Sequence, residues 1–203
     1  MNTHKSNKSN SSEEDTALVR DFQSGNRAAF DKLVLRHKDR VFSLCYRFFG
    51  DYQEAEDIAQ DVFLKVYNSL RSFRFKSSFY TWIYRVAVNT CKNRAKSSEY
   101  RNMKMNVQLN NNPRNQDEVN QSIQTGGKQQ TPLDDLEKEE RTRLIQKAID
   151  SLPTEQKAVI ILRDIKGLSY KEMADITGNQ LGTLKSRLSR ARLGLKKQLG
   201  GLI

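Results

Sequence analysis

The chain has 203 residues, 35 Lys or Arg against 24 Asp or Glu, and a formal charge of +11. That balance points to an anionic partner, nucleic acid first and a membrane surface second. Two cysteines and two histidines exclude a disulfide framework, a cysteine zinc site and most histidine chemistry, and no apolar run is long enough to span a bilayer.

The start, MNTHKSNKSNSSEED, lacks an apolar core, so no signal peptide is expected, and residues 1–14 are expected to be disordered. A short helix is expected from Thr16 to Gln23, ended by Gly25. A longer one follows over residues 27–49, with Phe30, Leu33, Val34, Val41, Leu44, Cys45 and Phe48 as its apolar stripe and Gly50 as its stop. Cys45 and Cys91 each fall within a helical pattern, where they read as small apolar side chains.

Asp51-Tyr-Gln-Glu54 reads as a capping box with Asp in place of Ser or Thr, opening a helix to about Leu70. Ile58, Val62, Phe63, Val66 and Leu70 supply its buried side. Asp57, Gln60, Asp61 and Leu64 lie away from the centre of that side. They suit either a solvated acidic face or a protein partner. Residues 51–70 hold five acids against Lys65, a net of −4, and residues 71–104 hold nine Lys or Arg against Glu99, a net of +8. Acidic and basic faces so close together suggest two different partners.

The loop Arg71–Ser77 leads into a helix from Ser78, and the stretch FRFKSSFYTWIYRVAVNTCKNRAK interleaves aromatic with basic residues. Phe73, Phe75, Phe79, Tyr80, Trp82 and Tyr84 offer ring faces for bases, and Lys or Arg neutralises phosphate. Phe79, Ile83, Val86, Ala87 and Thr90 share the expected buried face. Arg85, Asn89, Lys92 and Lys96 recur on the opposite one, where Asn can pair with a base edge. Aromatics alone would suit a core helix. The one-sided Arg/Asn/Lys face shifts the reading to single-stranded or partly opened nucleic acid.

Residues 97–131 are rich in Asn and Gln and read as a flexible linker. Gly126-Gly127-Lys128 is no phosphate loop, because Ser122 and Gln129 stand where Gly and Ser or Thr are needed. Beyond Pro132, Leu136, Leu144, Ala148 and Leu152 line a helix. Pro153 suits the first turn of the next, which carries Val159, Ile160 and Leu162. Ser169-Tyr-Lys-Glu172 is a second capping box, opening a short helix with Met173, Ala174 and Ile176. Gly178 makes a turn, and a last helix runs from about Leu181 to Leu199. Short helix, Gly turn and second helix describe a helix-turn-helix. Leu181, Leu184, Leu188, Ala191 and Leu195 form the expected seam of the last helix. Thr183, Lys185, Ser186, Ser189 and Arg190 stand opposite, with Arg187 and Arg192 flanking. This separation suits a recognition helix in a major groove.

DIAQDVFLKVYNSLRSF and SSFYTWIYRVAVNT resemble region two of the sigma-70 family, in its extracytoplasmic-function (ECF) group. LPTEQKAVIILRDIKGLSYKEMADITGNQLGTLKSRLSRAR resembles region four of the same family. The resemblance covers about residues 16–96 and 133–199. It implies an all-α fold of two small helical domains: region two over 15–96 and region four over 132–203, joined by a linker at 97–131. It further implies a promoter-specificity subunit with no catalysis, metal or cofactor of its own. Such a subunit acts in the bacterial cytoplasm with core RNA polymerase and is often restrained by an anti-sigma factor.

By motif position the resemblance places Asp57, Gln60, Asp61 and Leu64 on the β′ clamp helices. It places Phe73, Arg74, Phe75, Lys76, Ser77, Ser78, Tyr80, Trp82, Arg85, Asn89, Lys92, Asn93 and Lys96 on the −10 element. Thr183, Lys185, Ser186, Arg187, Ser189 and Arg190 fall on the −35 element, and region four also meets the β flap. Two departures stand out: Phe75-Lys76 where relatives often carry a small or acidic residue, commonly Gly, and Lys185 where Arg is also common. The rival readings are a LuxR-type regulator using only the helix-turn-helix, and a DNA-processing enzyme. The second would use carboxylates such as Asp57 and Asp61, one helical turn apart, as metal ligands, but no His or distant partner carboxylate is identifiable.

Overall fold

The computed structural model describes residues 3–97 and 132–200, with side chains described over 11–97 and 140–200. All regular elements among them are helical. In order they are α1 (Thr3–Gln23), α2 (Ala28–Phe49), α3 (Tyr52–Leu70), α4 (Phe79–Lys96), α5 (Pro132–Asp150), α6 (Thr154–Ile160), α7 (Tyr170–Thr177) and α8 (Leu181–Leu199). The linker expected over 97–131 lies, from residue 98 on, outside the described residues, as does the Gly126-Gly127-Lys128 stretch.

Helix starts and stops follow local chemistry. Gly50 ends α2 in a left-handed conformation (φ 72°), and its N–H donates to the Tyr46 carbonyl at 2.7 Å. Asp51 Oδ1 then accepts from the Glu54 N–H at 2.7 Å and starts α3. The reciprocal half of that capping box is replaced, because the Glu54 carboxylate instead pairs with Arg94 of α4 at 2.6 Å. Ser78 caps α4 by accepting from the Thr81 N–H. Ser169 and Glu172 form the complete box at α7, and Gly178 (φ 70°) closes that helix. Pro153 takes the cap position of α6 rather than its first turn. Past Ile160 the chain widens into a π turn over Ile161–Ile165, with the Lys166 N–H reaching the Ile161 carbonyl.

α1 begins well before the expected Thr16 and runs through residues expected to be disordered. The reason lies on α2. The Arg36 guanidinium donates to Asp15 Oδ1 at 3.0 Å and also pairs with Glu14, while His37 Nε2 meets Asp15 Oδ2 at 2.9 Å in the interior. Asp15 and His37 are both buried, so this tie is shielded from water. At the other end of α1, Gln23 Nε2 donates to the Leu70 and Phe73 carbonyls, fixing the α3–α4 loop.

The first core joins Leu33, Val41, Leu44 and Phe48 of α2, Ile58, Val62 and Val66 of α3, and Phe79, Ile83 and Ala87 of α4. Cys45 and Cys91 meet inside it with sulfurs 3.8 Å apart. Burial, then the neighbouring Cys45, hold the Cys91 thiol well above its ordinary pKa, so Cys91 behaves as a small apolar group. The second core joins Ile149, Leu152, Val159, Ile160, Leu162, Met173, Ile176, Leu184, Leu188 and Ala191. The two cores are continuous, because α4 packs on α6 and α7.

Candidate nucleic-acid and polymerase interfaces

The α3–α4 loop carries its aromatics in two different settings. Phe73 is buried, tilted against Trp82 and edge-on to Phe79, so its ring offers no face to a base. Phe75 is 38% exposed and adopts φ 56°, the one left-handed non-glycine among the described residues. A left-handed backbone strains any side chain but favours glycine. Phe75 therefore bears a backbone strain that a glycine would not. Its ring is held by an edge contact with Phe73 and by the Arg20 guanidinium 5.5 Å above it. Arg74 and Lys76 are exposed, Ser77 and Ser78 half-buried.

On α4, Tyr80 and Trp82 are half-buried, while Arg85, Asn89, Asn93 and Lys96 are exposed. Tyr84 turns inward and lies tilted against Tyr80 with ring centroids 4.4 Å apart, and burial holds its phenol far above the ordinary range. Val86, expected in the core, is only half-buried. The helix thus has the apolar back and polar front expected of it, but part of the front is already engaged. Arg85 Nε donates to the Asp175 carbonyl at 3.0 Å, and its Nη2 reaches the same oxygen. Lys92 Nζ lies 2.6 Å from Glu155 Oε1. Both partners belong to the second half of the chain.

The acidic face of α3 is open: Asp57, Gln60, Asp61 and Leu64 are all exposed, and Leu64 is 62% so, an uncovered leucine beside two carboxylates. On α8, Lys185, Ser186, Ser189 and Arg190 are exposed over a seam of buried Leu184, Leu188 and Ala191. Thr183 is half-buried, and its carbonyl accepts from the Ser186 hydroxyl. Arg187 is half-buried and its Nη1 donates to Glu155 Oε2 at 2.8 Å. Arg192 pairs with Asp164 of the π turn, which raises the pKa of an already permanent cation. Leu181, expected in the seam, is 51% exposed, because it opens the helix before the first turn reaches α7. Among the described residues no cluster of His, Cys, Asp or Glu is arranged to hold a metal, and no helix is long and apolar enough to cross a membrane.

Sequence reasoning missed the contacts between the halves. Lys157 of α6 is buried, and its Nζ donates to the Phe48 carbonyl at 3.0 Å and to Asp150 Oδ1 at 2.8 Å. Gln146 Nε2 donates to the Arg47 carbonyl, and Lys166 Nζ to the Ser43 hydroxyl at 2.7 Å. A side chain at Gly50 would come within 2.9 Å of Asp150 Oδ2, so the end of α2 also needs a glycine for this approach. Half of these acceptors, the Phe48 and Arg47 carbonyls, are backbone oxygens, which carry no residue signature.

Comparison with known proteins agrees with this architecture. The description Sigma-70 region 2 matches residues 33–100, and Sigma-70, region 4 matches residues 142–195. The RNA polymerase sigma-H factor of Pseudomonas aeruginosa is 35% identical over 198 residues, covering 94% of this chain and 96% of that protein. The ECF RNA polymerase sigma-E factor of Escherichia coli K12 is 35% identical over 193 residues, covering 93% and 96%. Among solved structures, CnrH in complex with the cytosolic domain of CnrY superposes with a TM-score of 0.62 at 22% identity, covering 93% of this chain and 98% of that one. The sigma factor RpoE in complex with the anti-sigma factor NepR from Bartonella quintana gives 0.53 at 25%, covering 84% and 96%. With both regions matched in order and the relatives aligned nearly end to end, this chain belongs to the sigma-70 family, as a sigma factor of the ECF group.

Proposed function

We propose that this chain is an alternative sigma factor that binds core RNA polymerase, recognises −35 and −10 promoter elements and promotes DNA opening, with no catalysis or cofactor of its own. The observation that carries this reading is the pairing, in one chain, of an open acidic α3 face beside an aromatic-basic α4 with a separate helix-turn-helix whose polar front is exposed. A LuxR-type regulator would use only the second, and leaves the first half without a role.

Region two is assigned to 15–96 and region four to 132–203, joined by residues 97–131. Asp57, Gln60, Asp61 and Leu64 take the β′ clamp helices, Leu64 supplying apolar burial inside a charged rim. Phe75 and the front of α4 take the −10 element as an opened strand. Unstacking a base costs about a few kcal/mol, and stacking on an aromatic ring returns about 1–3 kcal/mol per base. Phe75, Tyr80 and Trp82 carry that stacking, with Asn89 and Asn93 at base edges. Phe73 serves them from beneath as a core support. Lys185, Ser186, Ser189 and Arg190 read the −35 element as duplex, and region four also meets the β flap. The relatives RpoE and CnrH were solved with an anti-sigma factor or with a cytosolic domain bound. This supports an anti-sigma partner here, and a place of work in the cytoplasm with the polymerase.

Run-off transcription with core polymerase on a promoter library tests the reading. Initiation at defined promoters only when this chain is added is the expected result. Specific duplex binding with no effect on initiation would replace it with the stand-alone regulator.

A further inference from the structure

The last turn of α1 reaches the α3–α4 loop through two side chains three residues apart, on one face of the helix. Gln23 Nε2 donates to the Phe73 carbonyl at 2.9 Å, to the Leu70 carbonyl at 3.1 Å and, at longer range, to the Arg71 carbonyl at 3.4 Å. One turn back, the Arg20 guanidinium lies 5.5 Å over the Phe75 ring. Arg20 is exposed, and among the described residues its guanidinium joins no ion pair, so the ring is what it meets. A non-glycine residue in the left-handed region persists only where its surroundings over-determine it. Phe75 has such surroundings: Gln23 pins the backbone just before it, and Phe73 and Arg20 hold its ring from two directions. The part of the ring left in solvent is therefore presented in one orientation. A ring that needs no ordering when a base arrives keeps more of the stacking energy.

We propose that Arg20 is a positioning residue for base capture: from α1, outside both the loop and α4, it fixes the Phe75 ring against which an opened base stacks. This rests on the assignment of Phe75 to the −10 strand given above. Arg20 touches no base itself and acts through the ring, while Gln23 acts on the same loop through its backbone. The pair makes α1 part of the promoter-reading surface as well as of the core. A cation in the last turn of a helix is also favoured by the helix carbonyls, a role that lysine would fill as well as arginine. Only the guanidinium has the planar face that suits a ring.

The test uses the full chain, a fluorescein-labelled ten-nucleotide strand selected on it from a randomised pool, and a fluorine label on the Phe75 ring. Arg20→Ala changes an exposed helical site. It is expected to move the fluorine resonance and to weaken the strand about two- to fivefold, the range of an exposed cation–π contact. Arg20→Lys keeps the charge at the helix end and is expected to recover only part of that loss. In a chain that already carries Phe75→Ala, Arg20→Ala is expected to change the affinity no further. The proposal is overturned if the fluorine resonance stays in place, if Arg20→Lys matches the unaltered chain, or if the loss is as large without the Phe75 ring. A fall of about 0.7 in the salt slope that persists without the ring would make Arg20 a phosphate contact instead. A pool from which the full chain enriches no strand would overturn the −10 assignment itself, and this role with it. An enriched strand with no coupling between Arg20 and Phe75 removes only the role of Arg20.

Discussion

On α8 the polar front of Lys185, Ser186, Ser189 and Arg190 stands in solvent, whereas on α4 the cations Arg85 and Lys92 are engaged by the other half of the chain. The helices are built alike, with an apolar back of residues at helical spacing and a polar front rich in Lys and Arg. What differs is what their fronts meet. The exposed half of the pair is available for duplex as it stands. The engaged half needs a rearrangement before Arg85 and Lys92 can meet any other partner. Amphipathic pattern alone therefore identifies a binding helix but not whether it is accessible.

The largest expected effect breaks the docking that creates this asymmetry. Lys157→Ala strands the Phe48 carbonyl and leaves the half-buried Asp150 carboxylate with only a long bond from Gln146, and breaking a buried pair costs up to about 3–5 kcal/mol. Chemical denaturation of the full chain is expected to show that loss, whereas Lys157→Met, which fills the same space, recovers part of it. A loss below about 1 kcal/mol would mean that Lys157 does not hold the halves together.

The next sharpens the contrast between aromatic neighbours. Phe75→Ala is expected to weaken binding of an opened −10 strand by about 1–3 kcal/mol with little change in stability. Phe73→Ala should instead cost about 3–5 kcal/mol of folding stability. Equal effects of both on strand binding at equal stability would contradict the division into stacker and support. On the exposed helix, Arg190→Ala is expected to relax −35 selectivity by about 1–3 kcal/mol, measured on duplexes with single base changes, while leaving association with core polymerase intact. Parallel loss of core association would remove Arg190 from the reading face.

The last effect is a pH dependence of closure, confined to alkaline pH. Burial, then Arg47 and Arg40, lower the Lys166 pKa from 10.5 to about 8 in the docked form, with Cys45 opposing and the Ser43 hydroxyl as its hydrogen-bond partner. Undocking exposes Lys166 and restores its ordinary value. The docked form therefore binds fewer protons between these values, so closure strengthens as pH rises from about 8 towards 10.5 and is weakest below. Scattering across that range is expected to show a contracting chain at higher pH, and expansion instead would reverse the assigned cause.

Much of this fold was legible because its signals are local. Ser78, Asp51, Ser169 and Gly178 act within three or four residues of themselves, and the stripes on α2, α3 and α8 depend only on helical spacing. The misses share a different cause. Leu181 continues the seam in sequence, but at the first position of α8 there is nothing yet to pack on. α1 is held over Ser11–Asp15, ahead of its expected start, because Asp15 finds Arg36 and His37 across the bundle, a pairing that no local pattern encodes. The closed arrangement was invisible because Lys157, Gln146 and Arg85 bind carbonyls, and Glu155 looks in sequence like any first-turn acid. Of the expected −10 residues, exposure sorts Phe75 from Phe73, a distinction that hydrophobicity cannot make.

The central claim is that this chain acts only as part of a polymerase. Its most direct test is association with purified bacterial core RNA polymerase, followed by sedimentation of the labelled chain. The account predicts a one-to-one complex that is lost when Asp61→Lys reverses a charge on the open α3 face but survives Arg190→Ala. Failure of the unaltered chain to associate with core polymerase, at any salt concentration where both remain folded, would contradict it.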